Sequence, residues 1–432
     1  MLFRQFVDDD LGCASYLIGD ESSGEAVVVD PAYAIEQYAE PGVRIVRVLE
    51  THTHADHVSG HGRFALEHGV PVAVHPLAEP EFPFEPLADG QELRVGSVSL
   101  RVLHTPGHRP EHCCFAVEDL VLTGDSLFVG DAARPDLAVE AREGAEGLFH
   151  SLRRLTDLPD GVAVYPGHVA GSLCGAAMSS RPSSTIGEER RDNPALAYTD
   201  VQDFVNASAS ISAPRPPTLE RVVGLNRGPF VGAPEPLGSI DLSDGLTVLD
   251  VRPPEEFAVG HVEGAINVPV SGSSFATRAG FVLDPDERIA VHASSADEAE
   301  RAARGLRAVG FLELAGRLDA PATPATLTPV AVSELEALLA SDSIQLVDVR
   351  ELNERDTGYI AGSKHIPWRL LRVCGRGGLD EAKPVVTICE SGARAAIAAS
   401  ILAADGLDAR PVLNGGIPDW QGRTVEFRRC GS

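Results

Sequence analysis

Short runs of β-branched and aliphatic residues, each stopped by Gly, Pro or a charged residue, recur along the chain with longer stretches of helical spacing between them. Residues 25–31 (EAVVVDP) and 43–49 (VRIVRVL) read as strands, as do the alternating Val98, Leu100 and Val102 and the run 119–122. Near the C-terminus one pattern occurs twice. Residues 246–252 end in Asp250-Val251-Arg252 and lead through a helical stretch to a Gly-rich turn at 260–264. Residues 345–350 end in Asp348-Val349-Arg350 and lead to the matching turn at 358–362. Each copy then has another strand, 288–292 or 384–388, feeding an Ala-rich helix, 299–309 or 395–402. Strands alternating with helices predict parallel sheets. Pro-rich loops at 214–217, 232–236 and 320–326 divide the chain into three predicted domains: 1–235, 236–325 and 326–432.

Composition narrows the class. A chain of 432 residues with 44% hydrophobic and 23% charged residues has material for several cores. Its net charge of −27 repels phosphate backbones and anionic membranes, and no basic patch offsets it, so neither nucleic acid nor membrane is an expected partner. Seven scattered cysteines form no disulfide framework, and Asp8-Asp9-Asp10 interrupts any apolar leader. These features predict a cytoplasmic protein with reduced thiols, and symmetric assembly makes a homo-oligomer the expectation.

The chemistry concentrates where strands end. Thr51-His52-Thr53-His54-Ala55-Asp56-His57 places three His and one Asp within six residues. His52 and His54, two apart, face the same way on extended chain, with Asp56 and His57 in the turn. Gly-containing turns carrying His108, Asp125 and His168 follow later strands. Imidazole and carboxylate groups converging from separate strand ends predict a transition-metal site, while His104 and His112 read as solvated or supporting residues.

This set of turns resembles the metallo-β-lactamase superfamily across residues 1 to about 230, which implies an αββα sandwich with metal at one edge. The run 122–131 with Arg134-Pro135-Asp136, the run 166–175 and the pair Glu189-Arg190-Arg191 and Asn193-Pro194-Ala195-Leu196 resemble its persulfide dioxygenase branch; Ala132-Ala133 before Arg134 departs from the usual Gly. The resemblance implies one Fe(II) per chain held by His52, His108 and Asp125, with three positions left for substrate and O₂. It makes His54, Asp56, His57 and His168 supporting residues or, in a hydrolase, ligands of a second ion. Arg134 and Cys174 are candidates for lining the substrate pocket.

The second repeat continues 385–394, VVTICESGAR. Cys389 opens a strand-to-helix loop where backbone N–H groups and a helix N-terminus can meet its sulfur, with Arg394 adding positive charge. With Asp348-Val349-Arg350 and the run 413–420, this segment resembles rhodanese, which implies a doubly wound α/β domain and sulfane-sulfur transfer through a Cys389 persulfide. In the first repeat Ala293 or Ser294 takes the cysteine position and Glu298 that of Arg394, so this copy is expected to be silent. The chain as a whole resembles a persulfide dioxygenase fused to one inactive and one active rhodanese. The implied partners are a low-molecular-weight thiol persulfide, O₂, sulfite and thiosulfate. Three alternatives stand beside it: a glyoxalase II-like hydrolase with two zinc ions, a sulfurtransferase with a vestigial metal domain, and a non-catalytic sulfur carrier.

Overall fold

The computed structural model describes residues 1–136, 138–169, 179, 181–209, 214–318 and 324–425. The chain forms two compact units, Met1–Pro234 with Arg307–Leu312, and Glu235–Leu306 with Glu313–Ser432.

The first unit is built on two six-stranded sheets. One takes strands Leu2–Val7, Ala14–Asp20, Glu25–Val29, Arg44–Leu49, Val72–Val74 and Glu85–Pro86 in chain order. The other runs Ser184–Thr185, Ala163–Pro166, Leu120–Gly124, Cys113–Val117, Val98–His104 and Glu92–Val95. Side chains of alternate residues divide the faces. Tyr16, Ile18, Val27 and Val29 pack inward against Leu100, Val102, Phe115 and Leu122 of the facing sheet. Their neighbours Leu17, Ala26 and Val28 point outward, where Tyr38 of the short segment Ile35–Tyr38 and Phe64 of the helix His61–His68 cover them. On the far side, Leu148, Leu152 and Leu155 of helix Ala141–Thr156 cover Leu103, Val121 and Val164. The result is the expected αββα sandwich; strands buried on both faces, such as Glu25–Val29 and Leu120–Gly124, read as nearly continuous apolar runs, while Val98–His104 alternates because Ser99 and Arg101 are exposed.

The second unit holds a five-stranded and a four-stranded sheet. In the first, Thr247–Asp250 lies between Ile266–Asn267 and Ile289–His292; in the second, Gln345–Asp348 lies between Lys364–His365 and Val385–Ile388. All pairs in both sheets are parallel. The Ala-rich helices run Ala296–Ala308 and Ala393–Ala404, each starting a few residues earlier than the sequence pattern suggests. The small side chains Ala395, Ala396, Ala398 and Ala399 are buried, so the helix packs close to its surroundings and shows little polar face. Among the described residues no helix is long and apolar enough to cross a membrane.

Candidate metal centre and cysteine loop

Four turns at the edge of the sandwich bring the histidine-rich segments together. His52 follows strand Arg44–Leu49, His108 follows Val98–His104, Asp125 follows Leu120–Gly124 and His168 follows Ala163–Pro166. Gly124 adopts φ +46°, and a Cβ there would press on His112 and Thr51, so the turn that aims Asp125 requires glycine.

Hydrogen bonds decide which lone pairs are available. Thr51 Oγ1 donates to Asp30 Oδ2 at 2.8 Å, so at 2.9 Å it accepts from His52 Nδ1. His52 Nε2 is then a bare lone pair, buried and without a hydrogen-bond partner. His108 Nδ1 donates to the Arg134 carbonyl at 3.0 Å, which leaves its Nε2 as acceptor, 3.5 Å from Asp125 Oδ2. Asp125 Oδ1 takes the 2.7 Å hydrogen bond from His168 Nδ1, and Oδ2 has no hydrogen-bond partner. His52, His108 and Asp125 therefore offer two imidazole nitrogens and one carboxylate oxygen, all within 4.8 Å of one another. Buried donors without partners are costly unless something binds them, and this set fits a divalent transition-metal ion.

The electrostatics agree with that role. Burial, then the neighbouring His54, His108 and His112, push the His52 pKa well down, which keeps the ring neutral. Burial raises the Asp125 pKa, but His168 and His108 more than offset this and hold the carboxyl well below the usual range. His112, pushed down to about 3 mainly by burial, accepts the Asp125 backbone N–H at 2.9 Å through Nε2. His112 thus orients the Asp125 turn; His104 is half-buried and bonded to the Pro110 carbonyl.

The other residues of the run fall into a second layer. His54 Nε2 lies 3.3 Å from both Asp30 Oδ1 and Glu50 Oε2. Burial lowers the His54 pKa, yet Asp30 and Glu50 reverse the shift and leave it well above the ordinary value. Glu50 is fixed in turn by Ser59 Oγ at 2.5 Å and His61 Nδ1 at 2.9 Å. Asp56 Oδ2 accepts from His168 Nε2 at 2.7 Å, and its Oδ1 lies 3.3 Å from His57 Nδ1. Arg134 meets the site through its carbonyl, while its guanidinium grips Asp136 at 2.6 and 2.7 Å. Cys174 lies outside the described residues. A narrow cleft of about 270 Å³ opens beside His52 and His54, with Phe82 and Arg227 in its lining.

Sequence reasoning did not single out Asp30, Glu50 or Cys13. Asp30 and Glu50 both stand at strand ends, as the expected ligands do, and that position was the available signal. Cys13 carried none, because its neighbours at the site come from distant segments.

In the second unit Cys389 is buried directly after strand Val385–Ile388, and the Gly392 N–H donates to its Sγ at 3.1 Å. Arg394 makes two 2.6 Å hydrogen bonds to Glu354, so much of its charge is compensated there. In the first copy Asp250 pairs with His292 as Asp348 pairs with Ile388, which puts Ala293 at the place of Cys389. Ser294 there hydrogen-bonds to Glu256 and Glu298.

A family model of the metallo-beta-lactamase superfamily matches residues 8–168, and one of the rhodanese-like domain matches 238–319 and again 331–423. The chain is 30% identical over 236 residues to the mitochondrial persulfide dioxygenase ETHE1 of Bos taurus, covering 52% of this chain and 87% of that protein. It is 31% identical over 216 residues to a hydroxyacylglutathione hydrolase of Pseudoalteromonas translucida, covering 49% and 77%. The crystal structure of a metallo-beta-lactamase from Staphylococcus aureus superposes with a TM-score of 0.68 at 30% identity, over 73% of this chain and 98% of that one.

Proposed function

Because the chain belongs to the metallo-beta-lactamase superfamily and continues into rhodanese-like domains, we propose that it is an iron-dependent persulfide dioxygenase coupled to a sulfurtransferase. We assign oxidation to residues 1–235, a silent rhodanese to 236–325 and sulfur transfer to 326–432. The reaction is R–S–SH + O₂ + H₂O → R–SH + SO₃²⁻ + 2H⁺. The observation that carries the reading is the set of three buried donors, His52 Nε2, His108 Nε2 and Asp125 Oδ2, a two-His, one-carboxylate arrangement. Fe(II), one per chain, would supply there the one-electron chemistry that O₂ requires and a site for the terminal sulfur of the persulfide.

The protein's part is orientation. Asp30 acts through Thr51 to fix the His52 tautomer, and the Arg134 carbonyl fixes that of His108. His168 occupies one Asp125 oxygen so that the other is presented. In the second unit the Gly392 N–H and the start of helix Ala393–Ala404 stabilise negative charge on Cys389 sulfur. The Cys389 thiolate attacks the outer sulfur of a thiol persulfide, releasing R–S⁻, and passes that sulfur to sulfite: the S–S bond breaks, thiosulfate leaves and Cys389 returns as thiolate; in the opposite direction thiosulfate loads Cys389 and sulfite leaves.

The test is metal analysis of anaerobically purified protein, with an oxygen electrode and glutathione persulfide as substrate. One iron per chain and O₂ uptake are expected, with both lost in His108→Ala and Asp125→Asn. Cys389→Ser should keep O₂ uptake and lose thiosulfate formation. Two zinc ions per chain, with thioester hydrolysis and no O₂ uptake, would overturn the proposal.

A further inference from the structure

Asn226 stands in the last turn of helix Leu219–Arg227, beyond the residues 8–168 that the superfamily model matches, yet its side chain is buried against the histidine-rich turn. Asn226 Nδ2 donates to the His54 carbonyl at 2.9 Å and to the His57 carbonyl at 2.8 Å, and Oδ1 accepts the Ser59 N–H at 2.8 Å. These partners fix which way the amide faces, since the reverse would set Oδ1 against two carbonyl oxygens. Asparagine is a weak helix former, so the helix gains nothing from its presence. The helix is itself held firmly. Val222 packs with Tyr33 and Val58, Arg221 Nε donates to the Gly310 carbonyl at 3.1 Å, and the Arg227 carbonyl accepts the Glu81 N–H at 2.7 Å. A second acceptor reaches the same turn: the Val58 N–H donates to the Ala308 carbonyl at 2.7 Å, and Arg307–Leu312 belong with the first unit although the chain on either side of them does not.

We propose that Asn226 is a positioning residue of the metal centre: it closes the turn that follows His52 and so sets where the His52 ring stands against His108 and Asp125. The inference rests on the reading that those three residues hold the catalytic ion. From Thr51 to Val58 the chain forms no helix or strand, so its buried backbone groups need partners from elsewhere. Upstream, Asp30 takes the Thr51 N–H at 2.7 Å and Glu111 takes the Thr53 N–H at 3.1 Å. Downstream, the one planar amide of Asn226 serves the backbone of His54, His57 and Ser59. Truncating it strips these groups together, and buried backbone groups regain partners only if the turn moves. The His54 ring is carried along, and it lies against the His52 ring with centroids 4.3 Å apart. Residues that orient metal ligands in this way typically contribute about 10- to 100-fold to metal affinity.

Metal affinity of the full chain, read by chelator competition with Fe²⁺ and separately with Zn²⁺, tests the assignment. Asn226→Ala should weaken binding of either ion about 10- to 100-fold. Asn226→Asp, which keeps the shape and the acceptor for Ser59 but turns lone pairs toward the two carbonyls, should weaken it by at least as much. Both should shift the visible ligand-field bands of the Co²⁺-loaded chain. Leu152→Ala is the control, because its buried cluster contains no residue of the turn: it should lower the melting temperature and leave affinity and bands unchanged. Unchanged affinity in Asn226→Ala, bands that match the wild type, or an equal loss of affinity in Leu152→Ala at the same fall in melting temperature overturns the assignment. Failure of both Asn226 variants to fold overturns it as well, because the residue is then structural. O₂ uptake by the iron-loaded wild type is read alongside: its absence sinks the dioxygenase reading, while the Asn226 effect registers in the affinity for either ion.

Discussion

Gly392→Ala should damage the cysteine loop by an amount that the geometry allows to be estimated. Gly392 sits at φ +98°, ψ −31°, a conformation that L-residues avoid at about 1–3 kcal/mol. A Cβ added there would fall on the Leu413 carbonyl oxygen and 2.7 Å from its carbon, inside the 3.0 Å that real Cβ atoms essentially never breach. Backbone cannot swing aside as a flexible side chain does, so relieving the overlap adds about 1–3 kcal/mol. The sum, about 2–6 kcal/mol, is a large part of the 5–15 kcal/mol that typically holds a domain together. Gly362→Ala is the matched control: Gly362 has φ +83° with nothing within 4 Å of the added Cβ, so only the backbone strain of about 1–2 kcal/mol applies. The chain has two tryptophans, Trp368 and Trp420, both in the second repeat, so urea unfolding followed by tryptophan fluorescence reports on this module. Sulfur transfer from thiosulfate should also fall. Alanine keeps the N–H that donates to Cys389 sulfur, but the backbone shift that relieves the Leu413 overlap pulls it out of reach, and losing a hydrogen bond to a charged group costs about 1.5–3 kcal/mol, roughly 10- to 100-fold in rate. Gly392→Ala within 0.5 kcal/mol of Gly362→Ala, at equal denaturant slope, would refute the reasoning, as would unchanged transfer.

Ser400→Ala should cost about 1–3 kcal/mol in the same fluorescence assay, because the fully buried Ser400 Oγ is the acceptor for the Asn267 N–H at 2.9 Å, and alanine leaves that donor without its partner. Asp20→Asn should destabilise the first unit at neutral pH and make no difference in acid, as measured by circular dichroism melts at a series of pH values. The Ser97 N–H, with the Ser22 N–H and hydroxyl, holds the folded-state Asp20 pKa far below its ordinary value. The stabilisation is therefore fully present above about pH 4 and is lost as the pH falls further.

What could be read from the sequence, and what could not, divides on whether an interaction is local. Strands such as Glu25–Val29 and Leu120–Gly124 announce themselves because burial on both faces forces apolar residues into consecutive positions. The strand-end histidines are legible for a related reason, since a polar cluster immediately after an apolar run has few structural explanations. The state of each donor is another matter. Whether His52 presents Nε2 depends on Asp30, and Asp30 reaches Thr51 across 21 residues of sequence. The group that orients His108 is the Arg134 carbonyl, and every residue has a carbonyl. Arg394 finds Glu354 across 40 residues, and Cys13 finds His168 across 155. A motif therefore names the atoms that could bind a metal ion or stabilise a thiolate, and long-range hydrogen bonds select among them.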